Sequence, residues 1–333
     1  MSDAPRALIT GAAGFIGAHC VRFLASRGWR VRALDVHAAP ADFASLGVEF
    51  SQVDLRDDAA LSAALSGIEV VFHLASVHLD VGASYAEFEA VNVKAVAALV
   101  AACAGARVRR LVHVSSVGVY GHVEHPPADE SAPLNPQNDY EKTKRAGEDA
   151  AREAAHRLGV DLVIVRPSWV YGEGCPRTEK LIGALRRGRF FYIGAARNLR
   201  HPVYIDDFLQ GLWLAATAGA EVAGATFNIA GPSSMTVKAM VSTFAAAMQV
   251  RPPTLRIPRW LGYWAGWGAE ILGGALKINP PISRRTLAFF ENDNAFDISA
   301  ARARLKYEPH TQLLEGVREV LRSDPRLATT AAA

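Results

Sequence analysis

Tyr140 and Lys144 stand four residues apart in DYEKTKRAGE, the spacing that puts two side chains on one face of a helix. A phenol and an ammonium held together can move a proton. Free tyrosine titrates near ~10, too high for a base at neutral pH, and a neighbouring positive charge favours the phenolate. The pair is therefore an acid–base candidate for taking a hydroxyl proton or returning it to a carbonyl oxygen. With eight tyrosines and seven lysines in 333 residues, the same spacing also arises by accident, and a run so rich in charge reads equally as a solvated helix face. The rest of the chain has to decide.

The most informative run is ALITGAAGFIGAHCVRFLASRGWRVRALD. Gly11, Gly14 and Gly17 fall where the apolar run RALIT gives way to a helical pattern. Glycines at such a turn let the main chain approach a pyrophosphate, whose charge meets amide N–H groups at the helix N-terminus, Phe15 and Ile16 among them. The spacing is G-x-x-G-x-x-G, not the commoner G-x-G-x-x-G; the order strand, glycines, helix, second strand, Asp35 carries the reading. Asp35 can accept both ribose hydroxyls and would repel a 2′-phosphate, so NAD is expected over NADP. Asp54 and Leu55, after the third strand, are expected to meet the adenine amino group and ring.

These residues need a scaffold, and the sequence supplies one. WRVRALDV, VEFSQVD, EVVFHLA, RRLVHVSS and VDLVIVRP follow RALIT as further strands, with helical stretches between them, one over 139–158. Alternation of this kind predicts βαβ units and a Rossmann-type, doubly wound parallel α/β sheet. The NAD-binding domain is expected over 1–172, with 200–230 returning to it. Residues 173–199 and 231–325 are expected to build a smaller, discontinuous substrate lobe, and 326–333 a frayed tail.

Bulk properties exclude several classes. A net charge of +3 with scattered arginines gives no nucleic-acid footprint. Cys20, Cys103 and Cys175 form neither a metal-ligand spacing nor a disulfide framework, and with a strand beginning at once no signal peptide is expected. Residues 260–276, WLGYWAGWGAEILGGAL, are short and glycine-broken for a spanning helix. Trp260, Trp264, Trp267 and Ile271 recur at helical spacing, as on a face packed against a core. A cytoplasmic protein with at most peripheral membrane contact is expected. His73, His113 and His201 show no metal-ligand spacing and read as packed histidines, with His201 placed best to touch substrate. Cys175 lacks an adjacent base and reads as a loop or pocket residue.

Together TGAAGFIG, Asp54-Leu55, HLA at 73–75, VNV around Asn92, VHVSSVGVYG, YEKTK, RPSWVYG, YIDD, FNIAG and FDISAARARLKYEP resemble the extended short-chain dehydrogenase/reductase superfamily, over nearly the whole chain. The resemblance implies a catalytic Ser116, Tyr140 and Lys144, with Leu74, Ala75, Asn92 and Pro167 also at the cofactor. Trp169 stands where nucleotide-sugar enzymes of the superfamily carry an Asn, and Val117-Gly118 where dehydratases carry an acidic pair. RPSWVYG is more similar to 3β-hydroxysteroid dehydrogenases and dihydroflavonol-reductase-like enzymes. The resemblance thus implies alcohol–ketone interconversion on a bulky, apolar, steroid-like or lipidic substrate touching Ser116, Trp169, Arg200 and His201. Arg200, which matches a diphosphate-gripping arginine, with Arg284 and Arg285 as a second grip, keeps a nucleotide-sugar epimerase with tightly held NAD as the alternative. A non-catalytic NAD-binding scaffold is the third reading. The resemblance also implies a homodimer paired through the helices over 84–104 and 139–158, though the sequence by itself also permits a monomer.

Overall fold

The computed structural model describes residues 4–78, 84–261, 264 and 284–328. Seven parallel strands form one sheet: β1 (Arg6–Thr10), β2 (Arg30–Asp35), β3 (Glu49–Gln52), β4 (Val70–His73), β5 (Arg110–Val114), β6 (Leu162–Pro167) and β7 (Thr226–Ile229). Their order is β7-β6-β5-β4-β1-β2-β3. The direction of winding reverses at β1, which pairs with β2 on one side and β4 on the other. That reversal opens a crevice at the carboxyl ends of β1 and β4, where open α/β sheets bind ligands.

The central strands β4, β5 and β6 are buried throughout, as expected for strands covered on both faces. One face packs on α1 (Phe15–Ser26), Ile205–Thr217 and Ser299–Leu305, through Val21, Leu24, Phe208, Leu212 and Ala301. The other packs on α2 (Asp58–Ala64), α3 (Tyr85–Gly105) and α4 (Asp139–Leu158), through Leu61, Leu99, Val100, Ala151 and Ala154. A third apolar cluster, built on Tyr171, Ile182, Tyr192, Val241, Phe244 and Val317, lies among Pro176–Arg186, Val237–Ala247 and Leu313–Ser323. Trp169, Phe190 and Phe191 pack against its edge.

Helix α3 departs from the uninterrupted helix that its periodicity suggests. Ser84 and Glu87 close a capping box at its start, and Ala90–Lys94 then forms a π-turn. The bulge brings Asn92 inward, and π-bulges recur at functional sites. Of the tryptophan-rich stretch 260–276, Trp260 and Trp264 are described and exposed; Trp267 and Ile271 lie outside the described residues, as do the side chains of Arg284 and Arg285 and the last five residues of the tail.

Candidate active site

The glycine loop needs its glycines for three separate reasons. Gly11 has φ +71°, and a Cβ there would stand 2.7 Å from the amide nitrogen of Ala75, so the loop lies directly against Leu74 and Ala75 at the end of β4. Gly14 is the N-cap of α1 and offers no side chain to the helix amides, and no acidic residue occupies the first turn. A Cβ at Gly17 would collide with the carbonyl oxygen of Gly11. Glycines here keep helix and loop close and leave the positive end of α1, with Phe15 and Ile16, to an anion. Asp35 holds the loop from behind: its Oδ2 accepts from the Ala13 amide at 2.9 Å and its Oδ1 from the His37 amide at 2.9 Å. These residues fit the pyrophosphate and ribose of a dinucleotide. Nearby, Thr10 Oγ1 contacts His73 Nδ1 at 2.7 Å and accepts from the Ala75 amide, tying β1 to β4 at the crevice.

The adenine-side expectations divide. Asp54 makes a two-pronged pair with Arg56 at its exposed edge, which holds its carboxyl below the usual range. Leu55, in contrast, is buried with Leu8, Leu34 and Leu61, its side chain part of the core.

Tyr140 and Lys144 lie one turn apart at the start of the twenty-residue α4. Asn138 caps that helix by accepting from the Glu141 amide. Lys144 is buried, and its Nζ donates to the Val114 carbonyl at 2.7 Å, which pins the ammonium to the carboxyl end of β5. Burial pulls its pKa down to about 8, with Glu148 working in the opposite direction. Ser116 follows β5 and caps the short 3-10 turn Val117–Tyr120 by accepting from the Gly118 amide at 3.0 Å. A Cβ on Gly118 would meet both Ser116 Oγ and the Glu141 side chain, so the serine loop and the first turn of α4 are in contact. Asn92 is fully engaged: its Oδ1 accepts from Ser76 Oγ and the Val77 amide, and its Nδ2 donates to the Val77 carbonyl and Thr143 Oγ1. It fixes the segment after β4 to the helix bearing Tyr140. Pro167 closes β6 beside Ile229.

Three neighbours carry almost no local sequence signal. His78 stands edge-on to Tyr140, ring centroids 4.5 Å apart, and Arg177 contacts His78 Nε2 at 3.2 Å across 99 residues. Glu148, a further turn along from Lys144, receives two hydrogen bonds from buried Arg166, at 2.9 and 2.7 Å. Burial would raise the Glu148 carboxyl, but Arg166 overrides it and holds the group ionised. Only the i+4 recurrence of 140, 144 and 148 hints at this arrangement. Beneath the site His73 and His113 stack at 5.1 Å. Burial pulls His73 down to about 3, with Lys144 adding to the effect, so it is neutral at physiological pH.

The expected substrate contacts need revision. Arg200 Nη1 donates to Leu199 and Asn292 carbonyls and to Asn294 Oδ1, and its Nη2 to the Ala288 and Phe289 carbonyls. The guanidinium ties down the segment 288–294 and does not face the crevice as a diphosphate grip. His201 Nδ1 accepts from the Phe296 amide, so its Nε2 carries the proton and donates to the Gly231 carbonyl at 2.9 Å. With both nitrogens spent and the ring buried, His201 is a strut. Trp169 is different: it stacks on Phe244 at 6.2 Å, nearly parallel, and its buried Nε1 finds no partner among the described residues. Cys175 is buried, with Sγ 3.7 Å from the Val170 carbonyl.

Residues 7–230 match the NAD dependent epimerase/dehydratase family. The chain belongs to this family. It is an NAD-dependent enzyme of the dehydrogenase, reductase and epimerase kind, and the glycine cradle and Asp35 are where its own residues fit that cofactor. Among its relatives, it is 28% identical over 275 residues to the N-acetyl-alpha-D-glucosaminyl-diphospho-ditrans,octacis-undecaprenol 4-epimerase of Escherichia coli O157:H7, covering 80% of this chain and 79% of that one. It is 26% identical to the decarboxylating sterol-4-alpha-carboxylate 3-dehydrogenase of Mus musculus, covering 97% and 92%. The structure of MoeE5 in complex with UDP-glucuronic acid and NAD superposes with a TM-score of 0.77 at 27% identity, covering 96% and 99%.

Proposed function

We propose that the enzyme interconverts a secondary alcohol and a ketone on a bulky, apolar substrate, steroid-like or lipidic. The observation that carries the reading is the placing of Tyr140 and Lys144 on one face of α4, with the ammonium pinned at the carboxyl end of β5 beside the glycine cradle. Tyr140 takes the hydroxyl proton. Its phenolate is favoured by the Lys144 charge and by the positive end of α4. Ser116 Oγ donates to the substrate oxygen and orients it. NAD, when bound, supplies the acceptor for the hydrogen that leaves the carbinol carbon with its electron pair. For the substrate, support comes from the half-buried ring of Trp169, backed by fully buried Phe244, an apolar surface suited to a flat body, and from the commitment of Arg200 to main-chain carbonyls. The relation to a sterol dehydrogenase agrees with it.

Incubating the enzyme and NAD with hydroxysteroids, β-hydroxy-acyl compounds and UDP- or dTDP-sugars, and following absorbance of the reduced nicotinamide, tests the proposal. Reduced cofactor is expected with the lipidic set, and Tyr140→Phe should abolish it while leaving NAD affinity nearly unchanged. Turnover of the sugars alone, or a Tyr140→Phe enzyme of near-normal rate, would sink the reading.

A nucleotide-sugar epimerase is the second reading, favoured by one observation. Arg177, beside His78 and hence Tyr140, puts an exposed guanidinium at the mouth of the site, and guanidinium forks well onto phosphate. We also propose that two copies pair through α3 and α4.

A further inference from the structure

Of the large apolar side chains exposed in the described residues, half fall within one ten-residue stretch: Leu255 at 63%, Trp260 at 65%, Leu261 at 43% and Trp264 at 66%. Apolar side chains scattered singly need no explanation, but a contiguous group does. The stretch is held outward and not left loose. Arg256–Ile257 pairs in parallel with Tyr192–Ile193, through the Tyr192 amide donating to the Leu255 carbonyl and the Gly194 amide to the Ile257 carbonyl, each at 2.9 Å. Tyr192 and Ile193 belong to the same apolar cluster that Trp169 packs against. The exposed strap is thus an outer layer of that apolar cluster.

Its charge is one-sided. Arg251, Arg256 and Arg259 are exposed along it, and the chain has no acidic residue between Glu221 and Glu270. With 33 acids in 333 residues, an even spread would place several there. Tryptophan is the side chain suited to the headgroup level of a bilayer, with an apolar ring and one N–H donor. Arginines interleaved with such rings are drawn to anionic headgroups.

We propose that residues 251–261, with Trp264, seat the enzyme peripherally on a bilayer bearing anionic lipid, the tryptophans and leucines entering the interface and the three arginines meeting headgroup phosphates. This goes beyond the chemistry proposed above and does not depend on which alcohol is the substrate. A membrane-seated lobe would let an apolar substrate reach the crevice from the lipid phase.

Sedimentation of the full chain with vesicles of phosphatidylcholine alone, or mixed with phosphatidylglycerol, tests the inference. Binding to the mixed vesicles is expected, weaker at high salt because surface attraction is screened, with little binding to the neutral ones. Leu255→Ser with Trp260→Ser should cut binding at least tenfold, and Arg251→Gln, Arg256→Gln and Arg259→Gln together should erase the preference for anionic lipid. Turnover of a soluble substrate and the thermal midpoint should hold in both variants, since every changed side chain is exposed. Failure to sediment with either vesicle would overturn the inference. So would self-association in solution, without lipid, that the Leu255→Ser, Trp260→Ser variant abolishes, since the patch would then cover a second copy of the chain.

Discussion

An ammonium at a buried strand end is an unfavourable arrangement, and burial weakens the hold of Lys144 on its proton. Its pKa falls from 10.5 to about 8 on folding, chiefly through burial. Between those two values the unfolded chain holds a proton that the folded chain lacks, so folding stability rises with pH across that window. Below about 8 the full cost of the buried charge is present, up to ~3 kcal/mol at ~1.4 kcal/mol per unit. Lys144→Met removes the charge and also the bond to the Val114 carbonyl. The variant should lose turnover by roughly 10²-fold or more, the scale of a lost acid–base partner, yet be no less stable than the parent at pH 7. Urea unfolding at pH 7 and pH 10 checks this. The parent should gain stability relative to Lys144→Met as pH rises, and an unchanged difference would mean that Lys144 carries no strained charge.

Packing between elements sets where that lysine and its tyrosine stand. The π-turn of α3 and the inner face of α4 meet at Gly147, where a Cβ would collide with the Asn92 carbonyl oxygen. Gly147→Ala should therefore displace the turn that holds Asn92, lower stability by ~2 kcal/mol as overpacking does, and reduce turnover together with it. Gly105→Ala, where an added Cβ meets nothing, should do neither. Equal stability of the two variants would remove the argument. The sheet itself was open to reading because its central strands are nearly continuous apolar runs, and the glycine loop and the Tyr140–Lys144 pair because their signal spans a few adjacent residues. What escaped was settled across the chain. The acceptors of Arg200 are mostly 88–94 residues away, and the acceptor and donor that fix His201 are 30 and 95 away, so matching them to a motif gave a role their folded partners do not allow. The π-turn is invisible to a pattern that counts apolar residues at 3.6-residue intervals.

At the scale of the whole molecule, α3 is more apolar than one buried face requires. Tyr85–Gly105 is long and apolar enough, at a mean hydropathy of 1.5, to cross a membrane. Here one side of it lies on the sheet and on α4 through Leu99, Val100 and Cys103. The opposite side presents Ala98, Ala101 and Gly105, the last two exposed. The segment Ala95–Gly105 is apolar all round, such a segment is normally covered all round, and small residues at this spacing let a second helix approach closely. Pairing of α3 and α4 with the same helices of a second copy would supply the cover, in an isologous two-fold contact. Light scattering of the full chain should then give a mass near twice 35.7 kDa. Ala101→Arg, which places a charge and a long side chain on that stripe, should give the single-chain mass with its helix content intact. The Leu255→Ser, Trp260→Ser variant should stay paired, because its changes lie on the lobe. A parent of 35.7 kDa at every concentration would show that the stripe meets only water, and the pairing proposed for these helices would fall with it.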